Sequence, residues 1–163
     1  MIPPLRIGIG HDTHRLGPGR PFIVGGVVIP FDKGPIGHSD GDVLLHALTD
    51  ALLGALALGD IGDWFPNTDP RWAGADSTQF VVEALRVVTE KGWSVVNVDA
   101  IIHAERPKLG PHKREIASRV AEILGIPADR VSVKAKSGEG VGPVGLGEAL
   151  QAEVVVLLAA GGE

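Results

Sequence analysis

From Asp40 to about Leu58, leucine and alanine recur at helical spacing and predict a first helix, with Ser39 and Asp42 three apart as a weak capping box at its start. Arg6 to Gly10 reads as a short strand, and Pro21 to Pro30 as a strand pair broken at Gly25-Gly26. Between Asp60 and Asp76, closely spaced Gly, Pro, Asn and Asp predict a long loop. A second helix is expected from near Asp76-Ser77 to Gly92, then a strand over Val95 to Ala104. Pro111 opens a third helix filled by Arg114 to Leu124, and Gly125 followed by Pro127 stops it. Val131 to Ala135 and Glu148 to Ala159 are the last two strands, separated by a Gly-rich segment, Gly138 to Gly147. This order predicts an α/β (α+β) sandwich with helices on one face of a mixed β-sheet. The terminal strand is almost continuously apolar, so it needs cover on both faces: helices on one, neighbouring subunits on the other.

Composition narrows the picture. With 163 residues, 44% hydrophobic and 21% charged, the chain is expected to form one domain over 1–163. A formal net charge of -5 excludes the basic footprint of a nucleic-acid binder. The absence of cysteine leaves histidine and carboxylate as the available metal ligands. Met1 to Gly10 lacks the pattern of a signal peptide, and the longest apolar run, Val154 to Ala160, falls far short of the roughly 20 residues of a membrane span. The expectation is a cytoplasmic protein with neither membrane nor nucleic-acid partner.

Candidate chemistry begins with Asp12-Thr-His14, where alternation along an extended chain points both side chains the same way. Asp42, His46 and Asp50 share one face of the first helix, which makes His46 the natural third ligand beside Asp12 and His14. An Asp-His-His set suits zinc and leaves the fourth tetrahedral position open, as catalytic sites do. The plainer reading, a strand end and a packed histidine, fits the same spacing equally well. His38-Ser39-Asp40-Gly41-Asp42 places polar groups at a helix start, where free N–H groups attract phosphate or where an ordinary N-cap sits. Asp60-Ile-Gly62, Phe65 to Asp69, Lys108 and Lys136-Ser-Gly-Glu139 are loop segments that suit either turn chemistry or ligand contacts. No Ser–His or Cys–His pair is apparent.

Taken together these segments resemble, along nearly the whole chain, the 2-C-methyl-D-erythritol 2,4-cyclodiphosphate synthases. The resemblance rests on Gly10-His-Asp-Thr-His-Arg15 and above all on the run from His38 through His46 to Ala55. It continues in register through Leu58 to Gly62, Phe65-Pro66, Gly74 to Ser77, Asn97 to Asp99, Pro107-Lys108 and Val133 to Ala135. It implies a homotrimer whose sheets pack around a central axis, with active sites between subunits. The implied substrate is CDP-linked methylerythritol 2-phosphate, whose 2-phosphate attacks the β-phosphate and expels CMP. Asp12, His14 and His46 would bind Zn2+, and Glu139 a second divalent ion, Mg2+ or Mn2+. His38 and Ser137 match the transition-state stabilisers. Substrate contacts are implied for Asp12, His14, His38 and Ser39, for Asp60, Ile61, Gly62, Phe65 and Asp69 in the long loop, and for Ala104, Pro107, Lys108, Ser137 and Glu139. Several positions depart from the family pattern. Lys136-Ser-Gly138 stands for a Thr-rich run, Asn67 for a carboxylate, and Pro143 and Leu146 for a Phe and an Arg of the central cavity, which weakens any expectation of isoprenoid diphosphate binding there. Two other readings remain on residues alone: a metal-dependent nucleotide phosphodiesterase and a non-catalytic trimeric nucleotide-binding protein.

Overall fold

The computed structural model describes residues 4–161; the first three positions of the Met1–Gly10 segment and the last two of the expected 1–163 domain lie outside them. Five strands form one mixed sheet in the order β4-β1-β7-β5-β6. Strand β1 is Leu5–Pro18, β4 is Lys33–Ile36, β5 is Trp93–His103, β6 is Val131–Lys136 and β7 is Ala149–Ala160. Among the described residues only β5 and β6 run parallel. A separate hairpin, β2 (Phe22–Val24) and β3 (Val27–Ile29), turns at Gly25-Gly26, whose φ of 61° and 73° favour glycine. The helices are α1 (Val43–Ala55), the single turn α2 (Ile61–Trp64), α3 (Thr78–Glu90), α4 (Lys113–Leu124) and the single turn α5 (Gly142–Gly145).

Three differences from the sequence reading matter. Strand β1 runs on through Asp12 and His14, where polar residues hid it, because its register with β7 continues without a break from Leu5↔Ala159 to Arg15↔Ala149. Strand β4 was not expected, since Gly34 and Pro35 read as breakers; it survives as an edge strand, where a missing N–H is tolerated. Helix α1 begins at Val43, later than Asp40, because Asp42 is itself the N-cap and accepts from Leu45 N–H.

Alternation sorts the sheet into two faces. Leu150, Ala152, Val154, Val156 and Leu158 of β7 are buried beneath the helices together with Val98, Ala100 and Ile102 of β5. Helix α1 is buried almost all round because it lies on β1 and β7 with α3 packed on its outer side. Its close approach is permitted by Gly8 and Gly10, where an added Cβ would meet Ala51 O at 1.9 Å and Ala47 O at 1.8 Å. On the other face Ile7 and Ile9 are 71% and 70% exposed, flanked by exposed Leu5 and Val155. No helix of the described residues is long and apolar enough to cross a membrane.

Candidate metal centre and pocket

Asp12 and His14, two apart on β1, project from the sheet face that α1 covers, and His46 reaches them from that helix. His14 Nε2 lies 2.9 Å and His46 Nδ1 3.0 Å from Asp12 Oδ2, and the two ring nitrogens are 3.2 Å apart. Ligands at roughly 2.0–2.1 Å from a tetrahedral zinc stand about 3.3 Å apart, so the triangle is nearly the right size. His14 Nδ1 is 2.8 Å from Ile36 O, a carbonyl that only accepts, so Nδ1 carries the proton and Nε2 of the neutral ring offers a lone pair. A Cβ on Gly37 would come within 2.7 Å of this ring, so glycine there leaves it space. Arg20 fixes the same segment by donating to Gly37 O at 2.9 Å and Ser39 O at 2.6 Å.

Asp12 Oδ2, His14 Nε2 and His46 Nδ1 thus converge on one point, and this donor set fits zinc. Burial alone would raise the Asp12 carboxyl, but hydrogen bonds and charge from His14 and His46 prevail and hold it at about 2. Burial would lower His14; its hydrogen bond to Asp12, the Asp12 charge and the bond to Ile36 raise it above its ordinary 6.5. A metal must displace that proton. Zinc affinity should therefore be independent of pH above the His14 pKa and fall by roughly tenfold per pH unit below it. Chelator-competition titrations across pH check this; affinity unchanged between pH 5 and 8 would exclude His14 as a ligand.

Beside this cluster opens a pocket of about 240 Å³. Asp12, His14, His38, Ser39, His46, Ile61, Gly62 and Phe65, all expected from the sequence, line it. Gly37, Trp72 and Phe80 line it too, and these were not anticipated; Asn67, noted as a departure, also faces it. Phe65, Trp72 and Phe80 form an aromatic wall with ring centroids 4.7 to 5.5 Å apart, and Phe80 backs the His46 ring at 5.8 Å. No sequence period links residues 65, 72 and 80 to residue 46; the packing of α3 on α1 brings Phe80 there, and Phe65 and Trp72 pack on Phe80.

Other expected residues lie elsewhere. The Asp60 carboxylate caps α2 by accepting from Asp63 N–H at 3.0 Å, and Ile61 and Gly62 line the pocket in its place. Asp69 pairs with Arg71 at 2.6 Å, while its carbonyl accepts from His38 Nε2 at 3.3 Å. Asp42 is withdrawn from the site: fully buried, it accepts from Gly25, Gly26 and Leu45 N–H, filling the helix start considered for phosphate. Asp50 accepts from Ile61 N–H at 2.7 Å and so ties α2 to α1. Ala104, Pro107, Lys108, Ser137 and Glu139 do not line this pocket. They gather where β5 and β6 end, with Ala104 N–H bonded to Lys136 O and Gly138 N–H to Glu105 Oε2. Glu139 there adopts φ 54°, a left-handed conformation uncommon for a glutamate. Leu146 is 65% exposed.

The fold brings together a Ser–His pair that no spacing in the sequence shows. Ser77 Oγ lies 2.7 Å from His46 Nε2, and His46 Nδ1 lies 3.0 Å from Asp12, the connectivity of a Ser–His–Asp triad. Ser77 is nevertheless fully buried, and its hydroxyl is closely held by Asp40, so it cannot reach a substrate as a nucleophile.

The YgbB family model matches residues 5–159. A 2-C-methyl-D-erythritol 2,4-cyclodiphosphate synthase from Bordetella avium (strain 197N) is 54% identical over 98% of both chains. A solved synthase of the same name, in a CDP-bound form, superposes with a TM-score of 0.87 at 44% identity over 94% of this chain and 99% of its own. A Plasmodium falciparum IspF–CDP complex does so with a TM-score of 0.86 at 30% identity over 99% and 100%.

Proposed function

The chain belongs to the YgbB family, and from that membership we propose how its pocket works: it closes the diphosphate ring of a CDP-linked methylerythritol 2-phosphate and releases CMP. It is an enzyme of the cyclodiphosphate synthase kind. The reaction belongs to isoprenoid synthesis by the non-mevalonate route. The observation that carries the reading is the triangle of Asp12, His14 and His46 at the rim of a pocket with polar and aromatic walls. Zinc held by these three residues supplies Lewis-acid charge neutralisation beside a diphosphate. The nucleophile is the substrate's own 2-phosphate and the leaving group is CMP, so the protein has only to position the groups and neutralise charge. Ser39 and His38 face the pocket where they donate to phosphate oxygens, and the 61–65 segment with Phe80 and Trp72 encloses the methylerythritol carbons. A pure nucleotide binder has no need of an open metal position, and a phosphodiesterase is separated by its product.

The remaining half of the site is contributed across a subunit boundary. Ala104, Pro107 and Lys108 are assigned to the cytosine end and Ser137 to charge stabilisation, and Glu139 would hold a Mg2+ or Mn2+ ion that would neutralise phosphate charge. Two facts support sharing between chains. These residues cluster outside the pocket of their own chain, and the apolar sheet face around Ile7 and Ile9 needs cover of a kind that a homotrimer supplies. Supplied with zinc and magnesium, the protein should release CMP and scatter light at three times its 17.0 kDa chain mass. No CMP would remove the proposed activity; a monomer that releases CMP would remove the shared site.

A further inference from the structure

Ser77 occupies the N-cap position of α3 without capping it. Asp76 takes that place by accepting from Thr78 N–H at 2.9 Å, which leaves the Ser77 hydroxyl turned toward α1. A serine hydroxyl has a single proton to donate. Ser77 Oγ is held close to Asp40 Oδ1, and a carboxylate oxygen accepts, so the proton points to Asp40. Ser77 then meets His46 Nε2, at 2.7 Å, as an acceptor. Asp40 is itself held in place, because Oδ1 also accepts from Asp42 N–H at 3.0 Å and Oδ2 accepts from Ser77 N–H at 3.0 Å.

We propose that Asp40 and Ser77 form a positioning relay behind the metal centre, in which Asp40 accepts a hydrogen bond from the Ser77 hydroxyl, the Ser77 oxygen accepts one from His46 Nε2–H, and Nδ1 of His46 is left as a lone pair aimed at Asp12 and His14. The relay rests on the reading of those three residues as zinc ligands. It does for His46 what the Ile36 carbonyl does for His14, with a carboxylate behind the hydroxyl to strengthen it. Ser39 Oγ, 3.0 Å from the same Nε2, is the more distant acceptor. The relay also reaches the substrate loop. Asp40 N–H donates to Ala75 O at 3.0 Å, and Gly74 N–H donates to His38 O at 2.8 Å, so the residue that orients the ligand also fastens the loop that carries Trp72.

The test compares zinc affinity, by chelator competition, with the proton spectrum of His46 in the zinc-loaded protein. Ser77→Ala should weaken zinc binding roughly ten- to hundredfold and shift the His46 Nε2–H resonance upfield, and Ser77→Thr, which restores a hydroxyl, should recover both. Asp40→Asn should give a smaller loss in the same direction, and it carries the measurement should Ser77→Ala fail to fold. An Nε2–H that exchanges freely with solvent in the unmodified protein, or affinity within about twofold of it in Ser77→Ala, overturns the relay. Zinc binding that survives His46→Ala instead overturns the ligand assignment beneath it.

Discussion

His46→Ala should yield a folded protein that has lost its zinc and its cyclisation. Three donors meet at the centre, and removing one leaves the Asp12–His14 claw, which holds zinc weakly. Lewis-acid stabilisation of several kcal/mol goes with the metal, so the rate should fall by about a thousandfold or more. The fold should survive. The buried neighbours of His46 on α1, among them Leu44, Leu45, Leu48 and Leu52, still anchor the helix, and the lost contacts to Ser77 and Ser39 cost about 1–3 kcal/mol. Elemental analysis, circular dichroism and a rate assay decide the matter together. A folded variant with full zinc and full activity would remove His46 from the site.

The second large effect is expected at a residue that offers no ligand atom. In Gly10→Ala the new Cβ would lie 1.8 Å from Ala47 O, 2.7 Å from Ala47 C and 3.0 Å from Ala51 N, all backbone atoms of α1. No rotamer relieves a backbone clash, so the helix must retreat from β1 by an ångström or more, on the order of the overlap itself. Such overpacking should destabilise the protein by at least about 3 kcal/mol, or about 10 °C in melting temperature for a chain of this size. The retreat also draws His46 away from Asp12 and His14, so zinc affinity should fall with stability. Gly110→Ala, where an added Cβ meets nothing within 4 Å, is the control and should change stability by less than about 0.5 kcal/mol. Thermal melts of both variants check this; a Gly10→Ala protein that melts with the control would show that the helix–strand seam has more room than its geometry allows.

The Asp12–His14–His46 cluster was legible because each member obeys a local period. Asp12 and His14 share a face by strand alternation, and His46 lies on a helix whose Leu and Ala spacing is plain. What could not be read locally was set by register and packing. The polar stretch from His11 to Pro18 does not look like a strand, yet pairing with β7 makes it one and brings the claw over α1. Asp42 and His46, one turn apart, look like partners in chemistry; burial and the glycine turn at 25–26 claim Asp42 for the fold. Ser77 reads as a helix cap, and its true direction depends on Asp76 having taken that place. The separation of Ala104, Lys108, Ser137 and Glu139 from the pocket of their own chain follows from strand order, since β7 lies between β1 and β5. Neither spacing nor composition encodes that order.

The most direct measurement of the central claim is a phosphorus NMR spectrum of the zinc- and magnesium-loaded protein acting on the CDP-linked methylerythritol 2-phosphate. Ring closure should give the two mutually coupled resonances of a single cyclic diphosphate, with CMP in equal amount, and a chelator should abolish both. An acyclic methylerythritol phosphate formed alongside CMP would contradict the claim and identify the protein as a hydrolase.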